Sequence, residues 1–431
     1  MLARPLLILG LAVSAVSARA EIAFDDVLKL QGLWSLDQDA FQKATPNLPF
    51  RWTSTARDSA RAASYQGMTL FGLKIYEFVA RFEQNKPAVV TVNFYARGDA
   101  GELSEPAFEK LRQDAVDTLT KTIGSKPTIR GKDATNAVRA EGLLWTTLKS
   151  QYLLEYSAVR EVKTRGIPFR AEFVRLEVRP AEQKQSLMVQ ALASRGAKFN
   201  PLAHVKRDQT SGDVLLTDVP MVDQGRKGYC VVASTERVMR YYGNDVDANE
   251  LAQVANADAA GGTSVRAMRN SMKKLATRLK IRVRDQETME VKDLENMVKE
   301  YNRVAKRSGE AELPDLNSIM DLGDLFDHME GAVLKEARTK NKAALIRFQH
   351  EVQNRIDAGI PLLWSVQLGL VPERGIPQGA GGHMRLIIGY NAKTEEILYS
   401  DSWGAGHELK KMKADDAWTI TTGLMTIEPL T

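Results

Sequence analysis

Cysteine is almost absent from this chain: Cys230 stands alone among 431 residues. No intrachain disulfide can form, and a thiolate-based structural zinc site is excluded. Histidine is nearly as scarce, with five residues, His204, His328, His350, His383 and His407. Charge of neither sign dominates. The formal net charge is +5, and two of the arginines, Arg4 and Arg19, lie in the first twenty residues. No arginine- or lysine-dense stripe with interleaved aromatics occurs, which argues against nucleic acid as a partner. No apolar run approaches the roughly 20 residues needed to span a bilayer, so no membrane span is expected. Gly-x-x-x-x-Gly-Lys-Ser/Thr, Gly-x-Gly-x-x-Gly, His-Glu-x-x-His and Gly-x-Ser-x-Gly are all missing, and no cofactor or metal is expected.

The chain does have ordinary globular material, with 44% hydrophobic residues. At about 150 residues per domain, two or three domains are expected. Residues 1–20 read as a secretory signal peptide, with Arg4, an apolar core over 6–16 and Ala18-Arg19-Ala20 as a small-x-small cleavage site. Export to the periplasm or medium is therefore expected, with mature chain from about Glu21. A free thiol kept in an oxidising compartment invites oxidation, a mild argument that it has a chemical use.

Residues 21–200 read as a separate α+β domain. Long strands are expected over 68–82 and 88–97, parted by Gln84-Asn85-Lys86-Pro87, and a helix runs from an N-cap at Ser104 to Gly124. Its stripe is Phe108, Leu111, Ala115, Leu119 and Ile123. Further strands are expected over 143–149, 152–162 and 169–178. The polar stretch 183–213 carries the boundary, and residues 201–431 form the second domain. There an apolar run covers 214–222, helices are expected near 230–242, 249–255, 264–279, 291–304 and 340–357, and a strand over 362–367. The charged block from about 285 to 350 reads as a helical insertion with a solvated face.

Gln224-Gly225-Arg226-Lys227-Gly228-Tyr229-Cys230 is the most informative stretch. Cys230 opens a helix closed by Gly243, and the first helical turn offers unsatisfied N–H groups and the positive end of the dipole. Both favour thiolate, the nucleophilic form. Gln224 is in place to donate to an oxyanion beside the Cys230 N–H, and the glycines between allow a tight turn. Taken alone, one cysteine is more often an inert buried hydrophobe.

Gly379-Ala380-Gly381-Gly382-His383 precedes a strand over 384–390. A turn over 391–396 and a return strand over 397–403 make a hairpin that brings His383 near Asp401-Ser402-Trp403-Gly404. An imidazole near neutral pKa takes a thiol proton and later returns one to a leaving group. A carboxylate behind it fixes the tautomer. His383 alone reads more readily as a satisfied strand histidine, and His407 is the second candidate base.

Together, Gln-Gly-x-x-Gly-x-Cys at 224–230, Gly-His at 382–383 and Asp-Ser-Trp-Gly at 401–404 resemble the papain-like cysteine peptidases, nearest to the bacterial C39-like branch related to bacteriocin-processing peptidases. The resemblance covers about residues 210–431. It implies Cys230 as nucleophile, His383 as base, Asp401 as orienter, Gln224 as oxyanion donor and Trp403 as a shield over the His–Asp pair. The chain departs from papain's Cys-Gly-Ser-Cys-Trp in having Lys227-Gly228-Tyr229-Cys230-Val231, and 153 residues separate Cys230 from His383.

The reading is an exported cysteine peptidase acting on peptide or protein substrates through a thioester, its α+β chain holding a helical lobe with Cys230 and a β lobe with His383 and Asp401. An amidase or acyltransferase on cell-wall or other acyl substrates, and an inactive peptidase-like binding protein, stand as alternatives. The size of the N-terminal module favours a permanent partner-binding domain over a removable pro-segment.

Overall fold

The computed structural model describes residues 21–63, 67–130, 137–138, 140–181, 199–225, 228–256, 264–314 and 322–430. The leader over 1–20 and most of the connection over 183–198 lie outside the described residues, as do Gly261-Gly262-Thr263. The fold is α+β, and the described residues form two large hydrophobic cores beside a small cluster of Val138, Ala140 and Phe173. One is built from residues between Phe24 and Val178. The other is built from residues between Val214 and Ile427, joined by Ala137.

The first core lies on an antiparallel eight-stranded sheet in the order Arg51–Trp52, Ser59–Ala63, Glu77–Glu83, Lys86–Ala96, Arg170–Pro180, Ser150–Val159, Glu141–Thr146 and Thr128–Arg130. The Glu105–Ile123 helix starts at Ser104 and ends on Gly124 in the left-handed region, burying Phe108, Ala115 and Leu119. The strand expected over 68–82 is instead three short ones, Met68–Leu70, Leu73–Lys74 and Glu77–Glu83. Phe71 and Gly72 both take positive φ, which reverses the chain between the first two. Gln84 and Asn85 also take positive φ and close the hairpin between Glu77–Glu83 and Lys86–Ala96.

The second core surrounds an antiparallel sheet in the order Val205–Arg207, Asp213–Leu216, Gly381–Asn391, Leu362–Leu368, Thr421–Pro429 and Ile281–Thr288. Glu396–Ser400 pairs with Gly381–Asn391, and Lys410–Lys413 pairs with Glu396–Ser400. The apolar run over 214–222 stays extended in the sheet only to Leu216, because Asp218 turns into the left-handed region before Pro220. The charged block over 285–350 is helical, as expected, and also contributes buried residues to this core. Ile281–Thr288 is an integral strand against Thr421–Pro429. The helices Val291–Ser308, Gly331–Thr339 and Lys342–Asp357 bury Tyr301, Leu334, Val352 and Ile356 in the same core. Their outer faces carry the charge, an amphipathic pattern with one stripe inward.

Candidate active site

The Cys230–Tyr241 helix packs on the Gly381–Asn391 strand, where Ser234 Oγ donates to the Met384 carbonyl at 3.3 Å. Cys230 is its first residue. The N-cap, Tyr229, supplies no side-chain cap, so the helix opens with its N–H groups and positive dipole end beside the sulfur. At the far end Gly243 lies in the left-handed region, one residue past the C-cap.

His383 lies inside the strand rather than before it, opposite Val366. His383 and Arg385 are two residues apart and so share one face of the sheet. Both reach the same atom. His383 Nε2 lies 3.0 Å from Asp401 Oδ1, and Arg385 Nε donates to that oxygen at 2.9 Å. The hairpin register, with Leu386 opposite Ser400, puts Asp401 just past the end of its strand and in reach of that face. Asp401 is fully buried, His383 3% exposed and Arg385 fully buried.

With Nε2 tied to Asp401, Nδ1 is the ring nitrogen left for the thiol. It is buried and has no partner of regular hydrogen-bond geometry. The thiol lies near enough to the imidazole for each group to shift the other's ionisation. Burial works against ionisation of Cys230. The hydrogen bond and charge of His383, with backbone hydrogen bonds from Met384 and Val231, outweigh it and hold the thiol below its ordinary value. Burial likewise disfavours the imidazolium, but hydrogen bonds and charge from Asp401 and Cys230 hold His383 above its ordinary value. Asp401 is opposed by burial and kept low by His383 and Arg385. A thiol held down and an imidazole held up have proton affinities brought closer together.

Trp403 stacks on His383 with ring centroids 4.2 Å apart and planes 10° apart. His407 meets the other aromatic ring, Trp403, edge-on at 5.5 Å, and its backbone carbonyl accepts from the Asp401 N–H at 2.9 Å. Burial depresses its pKa.

Gln224 is buried against the 401–404 loop. Its N–H donates to the Ser402 carbonyl at 2.8 Å, and its Oε1 accepts from Ser402 Oγ at 2.6 Å. The side-chain carbonyl is thus occupied by Ser402, which makes the NH₂ the other end of the amide. Gly225, at φ +68°, donates its N–H to Asp223 Oδ1 at 2.8 Å and turns the loop.

Three further residues support the site and were given no role from the sequence. Ser402 orients Gln224. Arg385 shares Asp401 with His383, and its guanidinium continues to Glu373, which also accepts from Tyr399 Oη at 2.7 Å. Arg237, two turns along the Cys230 helix, is buried and donates to Pro220 O at 2.7 Å, Asp401 O at 2.9 Å and Ser400 Oγ at 2.6 Å. It ties the cysteine helix to the aspartate loop. Period-two spacing from His383 is the signal that could have found Arg385, and Ser402 lies in the Asp-Ser-Trp-Gly motif; Arg237 has no such signal. Among the described residues, no group of three or more His, Cys, Asp or Glu residues is placed to hold a metal ion. No helix among them is long and apolar enough to cross a membrane.

Residues 317–425, about a quarter of the chain, match the family model described as the Peptidase_C39 like family. No curated protein matches the chain. Among solved structures the chain is similar to xylellain, a cysteine protease from Xylella fastidiosa, at 12% identity and a TM-score of 0.26, over 54% of this chain and 89% of that one. The family match takes in His383 and Asp401 but not Cys230 or Gln224, and supports a C39-like, cysteine-type peptidase.

Proposed function

We propose that the chain is an exported cysteine peptidase in which Cys230 is the nucleophile, His383 the general base and acid, Asp401 the orienting carboxylate and Gln224 an oxyanion donor. The observation that carries this reading is the division of labour on His383: Nε2 is bound to a buried carboxylate while Nδ1 is buried without a regular partner beside the only thiol. Nδ1 takes the thiol proton and the sulfur attacks the amide carbonyl carbon, forming the S–C bond. Collapse of the tetrahedral intermediate breaks the C–N bond, the leaving amine takes the proton from His383, and water then hydrolyses the thioester. Asp401 holds the imidazolium that forms, as the orienting carboxylate does in other triads. Trp403, stacked on the ring, limits water at the His–Asp pair. In this reading the helical and β parts of the C-terminal core are the two lobes, and the α+β module over 21–200 stays with the mature enzyme.

The test is hydrolysis of a peptide library by the purified chain, with Cys230→Ala and His383→Ala as controls. Cleavage lost in both variants is the expected result; cleavage unchanged in either removes the triad. Export is checked separately, by fractionating the producing cell and finding an N-terminus near Glu21.

A further inference from the structure

The N-terminal module presses directly on the loop that carries Gln224. Arg61, on the Ser59–Ala63 strand, places Nη1 3.3 Å from Asp223 Oδ2 while its Nε is bound to Glu77. Asp223 in turn caps the Gly225 N–H with its other oxygen, 2.8 Å away. A Cβ built on Gly225 would stand 2.9 Å from Arg61 Nη2, so the guanidinium lies against the backbone of the turn. Gly404 approaches the same oxygen of Asp223, where a Cβ would come within 3.3 Å of Oδ2. The loop is thus held between Arg61 and the 401–404 segment, with Gln224 bonded to Ser402 in the middle.

At the other end of the loop the module touches again. Gly98 packs on the Tyr229 ring so closely that a Cβ there would fall 1.9 Å from Tyr229 Oη. Tyr229 is the N-cap of the Cys230 helix. Further pairs fix the same interface: Arg81 with Asp245 at 3.2 Å, Arg175 with Glu250 at 3.0 Å, and Asn249 Nδ2 donating to Asn93 Oδ1 at 3.2 Å.

We infer that Arg61 is a positioning residue for the Gln224 loop, and that the N-terminal module is a built-in part of the active centre rather than a segment to be removed. The inference rests on the peptidase reading above. Arg61 touches no reacting atom. It acts through Asp223 and Gly225 on where the Gln224 amide stands when an oxyanion forms. The Cys230–His383–Asp401 contacts do not pass through Arg61, so loss of Arg61 slows steps that build an oxyanion and spares thiol ionisation.

Two probes of the single thiol separate these effects. Iodoacetamide alkylates the sulfur by displacement of iodide at a saturated carbon, with no oxyanion. p-Nitrophenyl acetate acylates it through a tetrahedral oxyanion: the thiolate forms an S–C bond, the C–O bond breaks, and p-nitrophenolate leaves. Losing one oxyanion donor outright costs about 100- to 1,000-fold, so misplacing it through Arg61→Met is expected to slow the acylation burst about 10- to 100-fold. The iodoacetamide rate and its pH profile should stay within about twofold, since thiolate fraction sets that rate. Arg61→Lys should recover part of the burst. If Arg61→Met fails to fold, Asp223→Asn keeps the cap on Gly225, breaks the ion pair and should give the same split. An unchanged burst in whichever folded variant is used overturns the inference, as does an equal loss in both reactions. Failure of the peptidase reading looks different, because the unmodified protein then shows no burst and sluggish alkylation.

Discussion

Replacing Asp401 by Asn changes one charge at the centre of the site and keeps the shape. The amide oxygen still accepts from His383 or Arg385, but two buried cations lose their shared anion. At 3.0 Å and an effective dielectric of about 20, one such pair interacts by roughly 5 kcal/mol before relaxation. Observed shifts from a close opposite charge are smaller, about 1–3 pKa units. Taking about 2 units at 1.36 kcal/mol each, the thiolate–imidazolium pair loses about 2.7 kcal/mol, or about 100-fold in population. The sign follows from the two groups. With His383 less able to hold a proton, Cys230 gives up its own only at higher pH, so the variant's alkylation curve moves alkaline. The assay is the second-order rate of iodoacetamide labelling across about pH 5–9, the range histidine and thiol titrations span. Asp401→Asn should be about 100-fold slower near pH 6.5 and converge on wild type as pH approaches the ordinary thiol value. A folded variant whose rate near pH 6.5 stays within about twofold would refute the coupling.

Arg237→Met leaves the buried carbonyl of Asp401 and the part-buried carbonyl of Pro220 without their donor, and at about 1–3 kcal/mol for a buried orphaned group and less for a part-buried one the fold should lose about 2–4 kcal/mol by urea unfolding; a loss below about 1 kcal/mol would show that the clamp contributes little. Gly98→Ala should cost about 1–3 kcal/mol, because its Cβ meets the buried Tyr229 ring, and an unchanged urea midpoint would contradict the close packing. Burial raises the Glu250 carboxyl to about 7 against the opposing charge of Arg175. A raised carboxyl binds its proton more tightly folded than unfolded, so stability falls as pH climbs from about 4.5 to about 7 and is level above. Glu250→Gln should flatten that part of the thermal-midpoint curve, and parallel curves would contradict it.

Much of this architecture was legible wherever local chemistry decides it. Gly124 and Gly243 mark helix ends because a left-handed residue past the last turn is a local need. The strand over 68–82 was misread because Phe71 adopts positive φ, which no pattern of side chains announces. In the block over 285–350 the helices and their charged outer face were legible, but the buried inner stripe was not, because the partner sheet is fixed only by tertiary structure. At the site, Cys230, His383 and Asp401 stood out through motifs. Arg237 did not, since its partner Asp401 lies 164 residues away. Arg61 and Asp223 join two modules by a contact that only tertiary structure creates.

The most direct measurement is the ultraviolet absorbance of thiolate, followed as pH is raised on the native protein and on Cys230→Ala. With one cysteine in the chain, the difference belongs to Cys230 alone. A sulfur ionised by His383 gives a thiolate signal already present near neutral pH, which His383→Ala abolishes there. A signal that emerges only at or above the ordinary thiol value of about 8.5, and is indifferent to His383, would contradict the ion pair on which the peptidase reading stands.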